Sequence, residues 1–535
     1  MAGGGLSSSV SKKEYNGNLT CYVLLTCLVT GFGGIMFGYD IGISGGVTSM
    51  PAFLEKFFPS VYHQEEMVQS NSQYCKFNSQ SLTMFTSSLY LAALVASFVA
   101  ARVTKSLGRR WSMLLGGTIF LCGALLNAAA IHVSMLILGR VLLGIGVGFS
   151  IQIVYLLLKL QVQSIPLYVS EMAPYKHRGA LNSIFQLSIT IGILIANLVN
   201  FFSSKYIKGD NAWRVSLGGA AVPALIITLS GFFVCETPNS LIEREEYAKA
   251  RQQLRRIRGV YDVDAEFDDL MAASLVSKSM TGSPWASLLK RKYRPQLVLA
   301  VLIPMFQQLT GINVVMFYAP ELFSSLGSGQ NVALMSAVVT GIVNVASTFI
   351  AVFGLDKFGR RRLFQVGGII MLIFQASVAG LIGAKFGWTG VSETPMTKLY
   401  SIILLTCICC FVSAFAFSWA PLGWLVPSEI FPLEIRSSGQ AVVAAVNMLL
   451  TFAVAQAFLT TLCHLKYGLF AMFAVIVLVM TLFVQFFVPE TKDIPIEETW
   501  KLWRKHWYWK KFVQEDDHDH HDHHRAVDHF GRFPN

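Results

Sequence analysis

Asp40 is a charged residue within a stretch that is otherwise apolar. The run from Leu19 to Val47 contains no other charge. A carboxylate in such a segment costs roughly 3 kcal/mol or more to place in a bilayer, so it should face a water-filled interior and have a partner or a task. Reversible binding of a proton is one such task. A carboxyl that only hydrogen-bonds neighbouring helices together is the alternative.

Arg140, in the apolar run Ile137-Leu-Gly-Arg-Val-Leu-Leu-Gly144, is the other charge buried early in the chain. An arginine can keep a carboxylate ionised, and when that contact is lost desolvation favours the protonated acid. The two residues therefore predict an ion pair in one state and a protonated acid in another. A static structural pair is the alternative interpretation of Arg140.

The composition predicts the elements that must hold these charges. Of the 535 residues, 53% are hydrophobic and only 14% charged, whereas soluble domains carry about a quarter charged residues. A membrane-spanning helix needs about 20 apolar residues, and the apolar runs are too long and continuous for barrel strands. The sequence predicts an all-α polytopic membrane protein with twelve spans, near 19–43, 81–101, 111–131, 134–169, 180–202, 213–235, 296–323, 332–354, 363–384, 400–425, 437–461 and 467–488.

The distribution of charge predicts the topology. Net charge is +11, and the basic residues cluster after even-numbered spans and in the long loop between spans six and seven. The positive-inside rule then places both termini and the basic loops in the cytosol. This distribution of charge therefore argues for a membrane protein and against binding to nucleic acid. The polar first eighteen residues show no cleavable signal peptide.

Two repeated signals predict a duplication. The turn ending in Gly108-Arg-Arg is repeated at Gly359-Arg-Arg, and Ser-Glu with an arginine seven residues on occurs at both 170–178 and 428–436. Copies about 250 residues apart indicate two six-helix bundles with a central site between them. The predicted division is a cytosolic tail 1–18, a first bundle 19–237 with an extracellular lid about 44–80, a cytosolic helical linker 238–293, a second bundle 294–490 and a cytosolic tail 491–535.

Seven amide side chains are predicted at membrane depth. An amide offers donors and an acceptor, which suits a polyhydroxylated, uncharged substrate, although amides also join helices to each other. Trp424 offers an apolar face on which a ring of such a substrate can stack. Alternatively, Trp424 packs in the hydrophobic core or anchors its helix at the membrane interface. The amides are Gln186, Gln307, Gln308, Asn313, Asn344, Asn447 and Gln456.

These residues carry a resemblance to a known family. Gln307-Gln-Leu-Thr-Gly-Ile-Asn313, Pro238-Asn-Ser-Leu-Ile-Glu-Arg244, Pro489-Glu-Thr-Lys492 and the paired Gly-Arg-Arg turns resemble the sugar-porter branch of the major facilitator superfamily. The first span, from Gly38-Tyr-Asp-Ile-Gly onward, resembles the plant monosaccharide/proton symporters called sugar transport proteins. The match extends from about Asn18 to Trp500.

The resemblance implies a plasma-membrane hexose/proton symporter that works by alternating access, as a monomer in the lipid bilayer and without a cofactor or metal. Asp40 would be the proton donor and acceptor, with Arg140 as its partner. Sugar hydroxyls would meet the amides named above other than Gln456, together with Trp424, while Phe37 and Ile41 would close over the sugar.

Charged residues at the cytosolic helix ends predict a gate. Ion pairs between the two halves there would hold the outward-facing state closed on the inside; the alternative is solvated charge that serves topology. Lys105 stands where the superfamily pattern usually has Asp, so the first-half cluster is less complete. The gate candidates are Arg109, Glu171, Arg178, Asp356, Arg360, Glu429 and Arg436.

Cys75 and Cys463 both lie on the predicted extracellular side, where a disulfide is allowed. Sequence alone leaves the pairing open, but the family pattern has a lid helix tied across the two halves by such a bond. The resemblance therefore implies Cys75–Cys463, with the lid shielding the Asp40 region from bulk pH.

The chain departs from the family pattern within Ile151 to Gln163, where it carries about eleven extra residues. If these extra residues are helical, they lengthen span four by roughly 16 Å. Span four is then too long for the bilayer. Either the insert bulges out or the sequence reflects an aberrant gene model, whose product would be inactive. The tail His518–His524 has a metal-binding composition, but a solvated tail without a metal is the interpretation we favour.

The residues also bear on three other functions: a uniporter, a sensor and an enzyme. A facilitative sugar uniporter would need no acid at position 40, and a non-transporting sugar sensor would need a longer cytosolic extension than the residues after Glu490. An enzyme is not predicted, because no nucleophile–base set or metal site converges at membrane depth.

Overall fold

The computed structural model describes residues 20–67, 75, 79–107, 109–151, 178–207, 209–232, 236, 238–279, 284–325, 330–387, 397–432, 434–492 and 499–513. All regular secondary structure within these ranges is helical. The predicted insert lies outside the described residues except for Ile151, and so do Glu171, the first nineteen residues and the His-rich tail.

In its described residues, the first half contains six long helical segments and two short helices. α1 (Cys21–Thr48) is followed by the short α2 (Pro51–Phe57) and α3 (Pro59–Met67), which with Cys75 form what we call the lid. Five further segments then complete this half: α4 (Gln80–Leu107), α5 (Arg109–Ala128), α6 (Val133–Ile151), α7 (Arg178–Tyr206), and the pair α8 (Asn211–Gly218) and α9 (Ala221–Gly231).

Four short helices form the linker between the halves. They are α10 (Pro238–Glu243), α11 (Tyr247–Arg258), α12 (Asp264–Ser279) and α13 (Pro284–Leu288). Leu241, Ile242, Leu254 and Phe267 bury their side chains against each other in a small core of the linker's own. The periodic apolar residues of this segment therefore form a helical layer at one end of the bundles, which we call the linker end; the opposite end is the lid end.

The second half repeats the long helices. They are α14 (Arg294–Leu309), α15 (Ile312–Ser325), α16 (Gln330–Phe358), α17 (Arg360–Phe386), α18 (Lys398–Phe417), α19 (Trp419–Ile430), α20 (Arg436–Leu465) and α21 (Gly468–Phe487). Two short helices, α22 (Thr499–Lys505) and α23 (Lys510–Val513), follow. Gly311, with φ +82°, separates α14 from α15, and the two form one span bent by 42°.

The helices have the length and composition of membrane spans. Within the described residues, nine segments are long and apolar enough to cross a bilayer, and the bent pair makes a tenth. The apolar α6 segment Val133–Phe149 is shorter, and α1 is 28 residues long. The prediction of an all-α polytopic membrane protein is therefore confirmed, and these helices are consistent with the twelve predicted spans.

Two glycines of α1 determine how closely this helix approaches its neighbours. A Cβ on Gly38 would lie 1.9 Å from the backbone oxygen of Ile189 in α7. One on Gly45 would lie 1.9 Å from the backbone oxygen of Phe317 in α15. Since no side chain fits at either position, α1 is seated directly against a helix of each half, and Asp40 lies between the two contacts.

Candidate functional site

Asp40 and Arg140 form a buried ion pair. Arg140 Nη1 donates to Asp40 Oδ1 at 2.6 Å. The Asp40 side chain is 2% exposed and that of Arg140 is 0% exposed, so neither charge can be satisfied by bulk solvent. An isolated charge at such burial is strongly unfavourable, which makes each residue dependent on the other.

The rest of the Arg140 guanidinium has an aromatic environment. Its Cζ lies 4.2 Å from the ring centroid of Phe85 in α4, a cation–π contact. Among the described residues, Arg140 Nε and Nη2 have no hydrogen-bond partner. The carboxylate of Asp40 is therefore held through one nitrogen, and the guanidinium keeps unused donors for another arrangement of the site.

The insert does not prevent Arg140 from reaching Asp40. Arg140 lies in the middle of α6, whose last described residue is Ile151. The extra residues follow this helix segment, so they do not change the register between α6 and α1. The contact with Phe85 is not predicted from the sequence, because no local pattern indicates that Phe85 faces an arginine.

A second group of polar side chains lies in the other half, where Gln307 connects three helices. Gln307 Nε2 donates to the backbone oxygen of Trp419 at 3.0 Å, and Asn447 Nδ2 donates to Gln307 Oε1 at 2.9 Å. The structure thus brings together two of the predicted sugar-contacting amides, from α14 and α20. Both are buried.

The remaining amides of this half lie on the two sides of the Gly311 break and on α16. Asn313 Nδ2 donates to Gln308 Oε1, across the bend. Asn344 lies near Met316, with its Nδ2 4.0 Å from the sulfur. The bend therefore places amides of α14 and α15 against each other, which a continuous helix would not do.

Among the described residues, the four other predicted sugar contacts make no hydrogen bond to these amides. Phe37, Gln186 and Trp424 are half-buried, on α1, α7 and α19, and Ile41 is buried on α1. They occupy helices of both halves. Within the described part of the chain, no cluster of three or more histidine, cysteine or acidic residues could hold a metal ion.

The lid end carries covalent and polar connections between the halves. Cys75 and Cys463 form a disulfide with a Cα–Cα distance of 4.6 Å. Below it, the amide of Gln456 accepts from Ser87 Oγ at 2.6 Å and donates to Gln80 and Thr83 at 3.0 Å each. Gln456 is one of the seven predicted amides, but no local pattern indicates that it joins α20 to α4.

The linker end holds a charged cluster within the second half. Arg360 donates to Glu429 at 3.0 Å, and Thr491 donates to the other oxygen of Glu429 at 2.5 Å. Glu490 accepts from the backbone nitrogens of Arg360 and Arg361. The sequence predicted ion pairs between the halves, but this pair joins helices of one half, because the start of α17 lies beside the end of α19.

Glu236 repeats part of this arrangement in the first half. It accepts from the backbone nitrogen of Arg110 at 3.1 Å, as Glu490 does from Arg361. The Glu-Thr pairs at 236–237 and 490–491 were a repeat that sequence comparison of the two halves could have found. Arg436 begins α20; the side chains of Arg109, Arg178 and Asp356 lie outside the described part of the structure.

Comparison with known proteins gives consistent results. A family model described as sugar (and other) transporter matches residues 26–503. Sugar transport protein 1 of Arabidopsis thaliana is 58% identical over 519 residues, covering 97% of each chain. Sugar carrier protein C of Ricinus communis is 58% identical over 516 residues, covering 96% of each.

Solved structures with the same fold include a sugar carrier. The proton:xylose symporter XylE bound to 6-bromo-6-deoxy-D-glucose superimposes with a TM-score of 0.72 and 26% identity, covering 91% of this chain and 100% of that one. The inward-open xylose transporter XylE from E. coli superimposes with a TM-score of 0.70 and 25% identity, covering 90% and 100%.

Proposed function

We propose that this chain, which belongs to the sugar (and other) transporter family, carries a monosaccharide across the membrane together with a proton. The relatives it matches are named as sugar transport and sugar carrier proteins, and the superimposed structure is a proton:xylose symporter. The observation that carries the proton coupling is the fully buried Asp40–Arg140 pair. A uniporter has no need of such a pair, and an enzyme is not favoured since the relatives are transporters.

The membrane arrangement belongs to the same proposal. We assign residues 19–237 and 294–490 to the two bundles, with the linker 238–293 and both tails in the cytosol and the lid 44–80 outside the cell. The basic residues of the linker, such as Arg255 and Arg256 in α11, support this orientation. The transporter would lie in the plasma membrane and act as a monomer.

The contacts between the halves suggest how the cycle proceeds. Asn197 of α7 donates to the backbone oxygen of Ala337 in α16, and the rings of Tyr90 and Phe317 stack with centroids 5.4 Å apart. With the Gln456 bonds and the Gly45 contact, these connections lie toward the lid end. We therefore assign the structure to a state that is closed toward the outside, with Asp40 paired to Arg140.

In this cycle, a proton from outside neutralises Asp40 and releases it from Arg140. Since Asp40 lies on α1 between the contacts with α7 and α15, its release frees α1 to close over a bound sugar. Loss of the proton to the cytosol restores the ion pair. The charged cluster of Arg360, Glu429 and Glu490 lies within the second half here. In the outward-facing state its members would take partners from the first half, and those contacts would close the linker end.

The sugar would bind between the halves, against Gln186 on one side and the amides of α14, α15, α16 and α20 on the other. In the structure, Gln307 uses its amide on protein groups. A sugar hydroxyl can replace either partner, because an amide donates and accepts at once. Trp424, Phe37 and Ile41 would contact the apolar faces of the sugar ring.

Changing Gln307 to Ala is expected to weaken apparent sugar affinity. The substitution removes a hydrogen-bonding group and leaves the Asn447 amide unpaired, at a cost of about 1–3 kcal/mol or roughly 5- to 150-fold in KM. The measurement is concentration-dependent uptake of radiolabelled glucose. Gln375→Ala is the control, since Gln375 is equally buried in α17 but outside the proposed site; an equal KM change in both variants would contradict the assignment.

The decisive test of the proposed function is uptake in a transporter-deficient cell. Radiolabelled glucose should accumulate above its external concentration, and a protonophore should abolish the accumulation without damaging the protein. Uptake that equilibrates and is insensitive to the protonophore would indicate a uniporter. Surface expression without uptake of any tested hexose or pentose would favour a sugar sensor.

A further inference from the structure

A cationic cavity lies between the start of α5 and the linker helices α10 and α11. Its volume is about 460 Å³, within the range of small-molecule sites. Four basic and two acidic side chains line it, which gives a net charge of two positive (four minus two). These side chains, which define the linker cavity, are Arg110, Arg244, Lys249, Arg256, Glu236 and Glu246.

Both carboxylates of the linker cavity already have partners. Glu236 accepts from the Arg110 backbone nitrogen and lies 3.3 Å from Arg244 Nη2. Glu246 binds Lys249 Nζ at 2.7 Å, and this hydrogen bond lowers the pKa of the Glu246 carboxyl. A ligand that enters the cavity therefore meets mainly hydrogen-bond donors and positive charge, which favours an anion.

Gln253 adds a neutral donor to the same wall. It lines the cavity, and its Nε2 is buried without a hydrogen-bond partner among the described residues. A buried donor of this kind costs free energy unless an acceptor reaches it. An anion with several oxygens satisfies the amide and the neighbouring basic groups together, and phosphate has this geometry.

The position of the cavity favours a ligand that comes from the membrane. Arg110 donates to the backbone oxygens of Gly231 and Phe232, where α9 ends. The adjacent side chains of Trp111 and Phe232 are 51% and 59% exposed, on helices that span the bilayer. Exposed aromatic residues at such helix ends are typical of the headgroup level.

The second half differs at the corresponding place. There the backbone oxygens of Phe486 and Phe487, at the end of α21, accept from the indole nitrogens of Trp507 and Trp509 at 2.8 Å each. The chain's own C-terminal helices thus cover that turn. The first-half turn instead borders the linker cavity.

We propose that the linker cavity binds a phosphomonoester group, presented by the headgroup of an acidic membrane lipid. Juxtamembrane basic clusters attract such lipids, and this cavity adds several donors that line one site. A bound phosphate would bridge the linker to the start of α5. This proposal does not depend on which sugar is transported or on proton coupling.

Native mass spectrometry of the purified full chain tests the proposal. The probes are dioctanoyl phosphatidic acid, dioctanoyl phosphatidylcholine and inositol bisphosphate, with Lys249→Gln and Arg256→Gln as cavity variants. Arg255→Gln is the matched control, because Arg255 is an exposed neighbour that does not line the cavity. A single size-exclusion peak and an unchanged thermal midpoint in detergent show that each variant is folded, and Arg256→Lys tests whether charge alone suffices.

The expected result is one saturable phosphatidic acid adduct per chain, bound at least tenfold more tightly than phosphatidylcholine. Each cavity variant should weaken it about tenfold or more, and Arg255→Gln should not. Equal binding of phosphatidylcholine, an equal loss in Arg255→Gln, or no saturable adduct would overturn the proposal. Inositol bisphosphate that binds as tightly as the lipid would overturn the membrane source and assign the phosphate site to a soluble ligand.

Discussion

Replacing Asp40 by Asn is expected to abolish accumulation of sugar against its gradient. An amide does not take up and release a proton between pH 5 and 8, so sugar influx loses its coupling to the proton gradient. The side-chain oxygen that accepts a hydrogen bond from Arg140 remains in the variant. Internal sugar should then only equilibrate with external sugar, and uptake should become insensitive to external pH and to a protonophore. Radiolabelled glucose uptake between pH 5 and 8, in cells or proteoliposomes, measures all three effects.

Asp210→Asn is the control for this variant. Asp210 is also an aspartate of the first half, but it lies at the surface and pairs with Lys56, so accumulation should be unchanged. Asp40→Ala should in addition lose about 3–5 kcal/mol of stability, because it leaves the buried Arg140 without an acceptor. An Asp40→Asn protein that still concentrates glucose with unchanged pH dependence would rule out Asp40 as the proton site.

Breaking the Cys75–Cys463 disulfide is expected to make uptake more sensitive to alkaline pH. The bond ties the lid to the end of α20 over a sequence separation of 388 residues, and a disulfide typically contributes about 2–4 kcal/mol of stability. With the lid untied, the Asp40 region exchanges protons with bulk solution more freely. Uptake in Cys75→Ser and Cys463→Ser should therefore fall at a lower external pH than in the wild type, and the thermal midpoint in detergent should drop.

The two single variants and the double variant should behave alike, since each removes the same bond and the effects of a shared interaction do not add. Cys122→Ser is the control, because Cys122 is a free cysteine on α5. Reductant applied to the wild type should reproduce the shift. If the pH profiles of the three variants match the wild type, the lid does not control access of protons to Asp40.

Much of the fold was predictable because membrane helices are recognised from local properties. The length of each apolar run and the sign of its flanking charges are visible in the sequence, and neither depends on which helix packs against which. The break at Gly311 also has a local signal, because a glycine stands between two amide-bearing segments. The bend of 42° and the Gln308–Asn313 contact across it follow from packing in three dimensions.

Other features of the site could not be read from the sequence. Phe85 contacts Arg140, and Gln456 connects α20 to α4. Glu490 accepts hydrogen bonds from backbone nitrogens at the start of α17. Each of these contacts joins residues far apart in the chain, so no local pattern marks them. The linker cavity is of this kind as well, because its basic residues come from α5, α11 and the turn between α10 and α11.

The sequence by itself determined that a carboxylate and a guanidinium lie in apolar helices and need partners, because the cost of burying a charge depends on the segment that carries it. The family resemblance implied that they pair, but no local pattern in the sequence shows it. Asp40 and Arg140 are 100 residues apart, and only the packing of α1 and α6 brings them within 2.6 Å. The same holds for Gln307 with Asn447. Which buried polar group satisfies another is decided by the contacts between helices, and those are set by the whole tertiary structure.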